Sequence, residues 1–147
     1  MVLYAGLLVG TFDILAAFTS FFISTENNPL LILKAIASGV LGRAAFSGAG
    51  GTMLLGLSLH FFIALTFTAL FFRLYRRVGF ISRNKVAAGV LYGLLIWAVM
   101  NLLVLPLSQV PVRPFQPFHA LREALILVFM IGVPLAFLAG RPFDLKS

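Results

Sequence analysis

The chain has no cysteine. Disulfides, thiolate metal sites and cysteine nucleophiles are excluded, and the redox compartment cannot be read. Charge is scarce as well. Only 10% of the 147 residues are charged, against about 25% in a soluble domain. There are four acidic residues and two histidines. No G-x-S-x-G, P-loop, H-E-x-x-H or dinucleotide fingerprint is present. A Ser/His/Asp set drawn from Ser20, His60 and Asp13 is three scattered residues without a motif. The two histidines, His60 and His119, fall at different depths and make no matched axial pair for haem. His119 and Glu123, at i and i+4, give two ligands, too few for a metal. The sequence thus asks for no cofactor, and an enzyme is the lesser expectation.

What remains is apolar. Hydrophobic residues make up 61% of the chain, and the mean hydropathy is +1.08. This composition predicts an all-α integral membrane protein forming one membrane domain over 1–147. Four spans are expected, at about 2–23, 51–72, 86–106 and 118–139. The turn Ser24-Thr25-Glu26-Asn27-Asn28-Pro29 ends the first. Pro106 closes the third, and Pro134 predicts a kink in the fourth. Between spans one and two, residues 30–47 are too short and too polar for a full span. They read as a short interfacial helix or as a re-entrant segment, with the interfacial reading preferred. The prolines Pro111, Pro114 and Pro117 predict a stiff extended strap before the fourth span.

The net charge of +7 is not a nucleic-acid footprint, because the basic residues sit at span ends rather than along one face. Five of the eleven lie between Arg73 and Lys85. The positive-inside rule makes that loop cytoplasmic, and with it both termini, including Arg141 and Lys146. Lys34, Arg43, Arg113 and Arg122 then lie outside. No basic residue precedes the first apolar run and no small-residue cleavage site follows it, so a removable signal peptide is not expected.

Asp13 stands out against this background. It is the only charge in the first span. A carboxylate at the bilayer centre costs roughly 2.5–3.5 kcal/mol on insertion scales, so it normally faces protein or water and marks a functional site. Gly6, Gly10, Asp13, Ala17 and Ser20 share one helical face. Thr52, Gly56, His60, Ala64 and Thr68 form a similar stripe in span two, and Gly89, Gly93, Trp97 and Asn101 one in span three. These small or polar faces are expected to turn inward and the Leu/Phe faces to meet lipid. Gly6, Gly10, Gly56, Gly89 and Gly93 are the expected packing positions. Ala5-Gly6-Leu7-Leu8-Val9-Gly10 resembles Ala88-Gly89-Val90-Leu91-Tyr92-Gly93. Two packing surfaces of the same kind explain this more simply than a duplicated hairpin of the transporter type.

The candidate site residues follow from depth. Asp13 lies near the midplane, His60 slightly outward, Asn101 in the outer half of span three, and Arg122 and Glu123 at the start of span four. A carboxylate and an imidazole at mid-membrane can pass a proton near neutral pH, or can simply lock helix register. Arg43 would neutralise Asp13 if its segment folded inward; a headgroup-facing Arg43 is the simpler expectation. Arg122 and Glu123 suit an outer gate or anion site, though neighbours on a helix point in different directions.

With these residues in view, the chain resembles the YagU-like group of small bacterial inner-membrane proteins. The resemblance rests on the small-residue first span, the lead Gly48-Ala49-Gly50-Gly51, Gly56 and His60, and the span exit Tyr75-Arg76-Arg77. Gly89, Gly93, Pro106 and Glu123 continue it. It departs in lacking a longer polar insert after the first span and in carrying Ile126, not His, three positions after Glu123. The resemblance implies the inner membrane and names no activity.

The expected role is transport or permeation of a small solute, cation or proton past Asp13, His60 and Asn101. The expected partners are the lipid bilayer and, through the Gly faces, a second copy of the chain. A membrane accessory protein that binds partner helices is the alternative. A small intramembrane lipid-modifying enzyme is the third.

Overall fold

The structure, a computed structural model, describes residues 1–140. Arg141 and Lys146, which the charge count assigns to the cytoplasmic side, lie outside the described residues. The helices are α1 (Val2–Thr25), α2 (Leu31–Leu41), α3 (Gly50–Arg77), α4 (Gly79–Arg83), α5 (Lys85–Leu107) and α6 (Pro117–Ala139). No strand occurs among the described residues. α1, α3, α5 and α6 are each long and apolar enough to cross a membrane. The fold is therefore the all-α four-span bundle that the composition predicts.

Local chemistry sets the helix ends. α1 stops at Glu26, whose backbone turns left-handed (φ 55°) while its N–H donates to Phe22 O. The Asn28 side chain then accepts from Leu30 N at 3.0 Å and starts the next turn. α2 ends at Gly42, where φ of +60° is open to glycine at no steric cost. Asn84 caps α5 by accepting from Ala87 N at 3.1 Å. α3 extends past its predicted end at 72 to Arg77. Arginine is a good helix former, and Arg76 and Arg77 in the last turn suit the negative end of the helix dipole.

The two in-helix prolines share a local device. Pro106 stands one residue before the end of its helix at Leu107, close to the expected boundary. Each proline follows a π-helical segment, Met100–Val104 in α5 and Val128–Gly132 in α6. The residue before the proline makes the wider bond, Leu105 N to Met100 O and Val133 N to Val128 O. A proline offers no N–H to the carbonyl four residues back. The ladder opens one turn ahead of the ring, so the distortion precedes Pro106 and Pro134.

α1 packs on α3, and α5 packs on α6. α1 also touches α6, and Tyr92 Oη of α5 donates to Phe67 O of α3 at 2.5 Å. The buried faces are those that the small-residue stripes predict: Gly6 and Gly10 in α1, Gly56, Ala64 and Thr68 in α3, and Gly89 and Gly93 in α5. Backbones approach closely at several of them. A Cβ on Gly56 would sit 2.7 Å from the Leu33 carbonyl carbon of α2. A Cβ on Gly89 would sit 2.7 Å from Val133 Cα, and one on Gly93 2.5 Å from Val128 Cα.

The bundle is unevenly filled along its length. The continuous core is formed by Ala5, Val9, Phe67, Phe71, Tyr92, Ile96, Ile131, Leu135 and Ala136. These residues occupy the half that carries the Arg73–Lys85 loop. At the other end α2 and the 3₁₀ turn Gly42–Ser47 fill the segment expected to be interfacial or re-entrant. α2 leans on α3 through buried Leu33 and Ala37. Gly39 O accepts from Gln109 N at 3.0 Å, which ties α2 to the loop after α5.

Candidate functional site

His60 Nε2 donates to Gly10 O, 2.8 Å away across the α1–α3 contact. A carbonyl oxygen only accepts, so the ring hydrogen is on Nε2 and Nδ1 is the free basic nitrogen of the neutral ring. The approach depends on Gly10, where a Cβ would already be 3.1 Å from Ala64 Cβ and the Phe61 ring. Asp13 Oδ2 lies 4.0 Å from the same Nε2, and both side chains are largely shielded, at 11% exposure for His60 and 16% for Asp13. At that distance the pair is not a hydrogen bond, and it becomes an ion pair only when His60 is protonated. It is the only acid–base pair within 4.0 Å among the described residues. Gly10 and Asp13 lie three residues apart on one face of α1, which is why one imidazole meets both.

The pair sits where the filled half of the bundle gives way to a cavity. On α1, Val9 belongs to the core and Ala17 lines the cavity. Asp13 is between them, one turn from each. The cavity holds about 340 Å³ between α1, α2 and α6. Its polar lining is Ser20, Arg113, Arg122 and Glu123, and the rest is apolar.

Arg122 is fixed from two sides. Its Nη1 donates to Ser24 Oγ of α1, and its Nη2 donates to His119 Nδ1 at 2.7 Å. Its Nε is buried without a hydrogen-bond partner. Glu123 lines the same cavity, yet no ion pair joins it to Arg122 or Arg113 within 4.0 Å. That matches the different directions expected for neighbours on a helix.

The other expected site residues are placed differently. Asn101 donates from Nδ2 to Trp97 O of its own helix at 3.0 Å, within the π-helical part of α5. No hydrogen bond or ion pair connects it to Asp13 or His60 among the described residues. Trp97 Nε1 beside it is buried without a partner. Arg43 is exposed on the 3₁₀ turn and does not pair with Asp13.

Two participants escape a reading of the sequence. Arg113 looks like part of a stiff proline strap, but the structure brings it to the cavity wall. Its place between Pro111 and Pro114, just ahead of Arg122, was the available signal. Gly132 is absent from the expected packing positions, yet a Cβ there would run into Gly89 O.

Comparison with protein-family models, curated proteins and solved structures finds no match to this chain.

Proposed function

We propose that this chain is a small transport or permeation protein in which Asp13 and His60 bind a proton or small cation midway through the bundle. One observation carries the reading. The single ionisable pair of α1 and α3 stands at the boundary between a close-packed core and a cavity. A charged group at such depth carries a cost that a purely packing role does not require. The cavity at the α2 end reaches Ala17, one turn of α1 from Asp13, without being lined by either member of the pair, and Phe71, Tyr92, Ile96 and Leu135 fill the other side. His60 Nε2 stays with Gly10 O, so Nδ1 is the nitrogen that takes up and releases the proton, and Asp13 is the counter-charge for the imidazolium.

Infrared titration of Asp13 in reconstituted bilayers tests this, with Asp13→Asn assigning the band. A carboxyl band that responds to pH and shifts in His60→Gln is the expected result. A band that does not titrate and ignores His60 would make the pair a structural lock and return the protein to the accessory reading.

The proposal extends to place. Affinity with the YagU-like proteins and the Arg73–Lys85 cluster support a bacterial inner membrane with both termini cytoplasmic. The cysteine-free chain makes the check clean. A membrane-impermeant maleimide on intact cells should label Thr25→Cys and leave Ser82→Cys unlabelled until the cells are opened. The reverse pattern would invert the topology.

A further inference from the structure

The cavity at the α2 end has a chemistry of its own. Its charged groups are two arginines and one glutamate, a formal +1. The glutamate closes on neither arginine within 4.0 Å. Arg113 makes no hydrogen bond or ion pair among the described residues. Arg122 is held in place by Ser24 and His119 and keeps a buried, unpartnered Nε. A buried donor without an acceptor costs about 1–3 kcal/mol, and nothing in the described chain answers this one. The rest of the wall is apolar, with Phe21, Ile32, Phe46 and Ile126 among its residues. A volume of about 340 Å³ lies at the low end of small-molecule sites, which run from about 300 to 1,000 Å³.

Depth adds to this. Phe21 is one turn from the end of α1, and Arg122 is little more than one turn into α6. At ~1.5 Å per residue both lie within about 8 Å of a helix end. In a bilayer that is where headgroups meet acyl chains, and basic clefts between membrane helices at that depth hold anionic head groups.

We infer that this cavity binds an amphipathic monoanion: one phosphate or carboxylate group held between Arg113 and Arg122, on an apolar body lying against Phe21, Ile32 and Ile126. A single negative charge neutralises the site. A neutral ligand leaves the two arginines unanswered, and a bare anion leaves the apolar wall unused. Glu123 sets the limit on charge, because a dianion would stand against its carboxylate. The inference does not rest on the transport reading, and it holds for a resident lipid as well as for a solute in transit.

The test is thermal unfolding of the full chain in a neutral maltoside detergent, with four additives in parallel: sodium dodecanoate, phosphatidylglycerol, inorganic phosphate and phosphatidylcholine. A ligand that binds only the folded state raises Tm in a saturable way. Dodecanoate or phosphatidylglycerol should do so, and the one that does identifies a free acid or a lipid as the source. Arg122→Gln and Arg113→Gln should each weaken the effect at least tenfold, while Arg76→Gln, at the opposite end of the bundle, should leave it unchanged. The Arg113 side chain is exposed and makes no hydrogen bond among the described residues, so its variant reads out even if Arg122→Gln unfolds. Equal shifts from phosphatidylcholine, a full shift from inorganic phosphate alone, or retention of the effect in Arg113→Gln would each overturn the inference.

Discussion

Asp13→Asn should reduce proton flux through liposomes containing the protein to the level of protein-free vesicles, a loss of at least tenfold. The measurement is the decay of an imposed pH gradient, followed with a trapped dye. The substitution removes a charge and almost nothing else. Asn has the shape of Asp, and the His60–Gly10 hydrogen bond does not involve the carboxylate. Helix packing at Gly6 and Gly10 is also unaffected, since their close neighbours are Leu65, Phe61 and Ala64. The fold is thus expected to survive, and an unchanged elution volume in detergent checks that. Asn is still polar but carries no charge to bury, so the variant should be no less stable. Loss of flux in a protein that is equally or more stable is the signature of a functional charge. Wild-type flux in Asp13→Asn would end the transport reading and leave the accessory role.

Much of this arrangement was legible in the sequence, for a physical reason. Without a hydrophobic drive between helices in lipid, close approach depends on small residues, and small residues are visible in a sequence. The stripe Gly6, Gly10, Asp13 predicted one face, and Gly10 O and Asp13 do meet the same imidazole. The likeness of 5–10 to 88–93 also acquires a physical meaning. Ala5, Gly6, Val9 and Gly10 are buried in α1, and Ala88, Gly89, Tyr92 and Gly93 at the matching positions of α5. One pattern is used twice for packing, with α3 as the partner in the first case and α6 in the second. In that register Ile96 stands where α1 has Asp13, so the polar pair belongs to one half only. What stayed illegible depends on the course of irregular backbone. In the strap 108–116 the only hint that Arg113 reaches the cavity beside Arg122 is its place between Pro111 and Pro114, which does not fix the path of the loop. Asn101 shares a predicted stripe with Gly93, but the wider π turn at Met100–Val104 turns the register, and its amide bonds Trp97 O.

Close backbone approach determines where a side chain cannot be added, and Gly132 is one of the severe cases. It lies in the π-helical part of α6, opposite Gly89 and Gly93. A Cβ there would fall on Gly89 O and would be 3.0 Å from Gly93 N. Both obstacles are backbone of a helix that is itself pressed against α6 at Gly89 and Gly93. Neither can rotate away, so the two helices must separate. Gly132→Leu should cost about 3 kcal/mol or more, the upper range for overpacking, which is a factor of at least ~100 in the folding equilibrium. Gly10→Ala meets only the Ala64 methyl and the Phe61 ring at 3.1 Å, which can shift by tenths of an ångström. It should cost well under half as much. Gly51→Ala, with nothing within 4 Å of the new Cβ, should be neutral. Unfolding by a denaturing detergent, followed through Trp97 fluorescence, orders the three. If Gly132→Leu unfolds no more easily than Gly51→Ala, α5 and α6 are not in contact at this point. The α5–α6 half of the bundle would then have to be rebuilt around a wider gap.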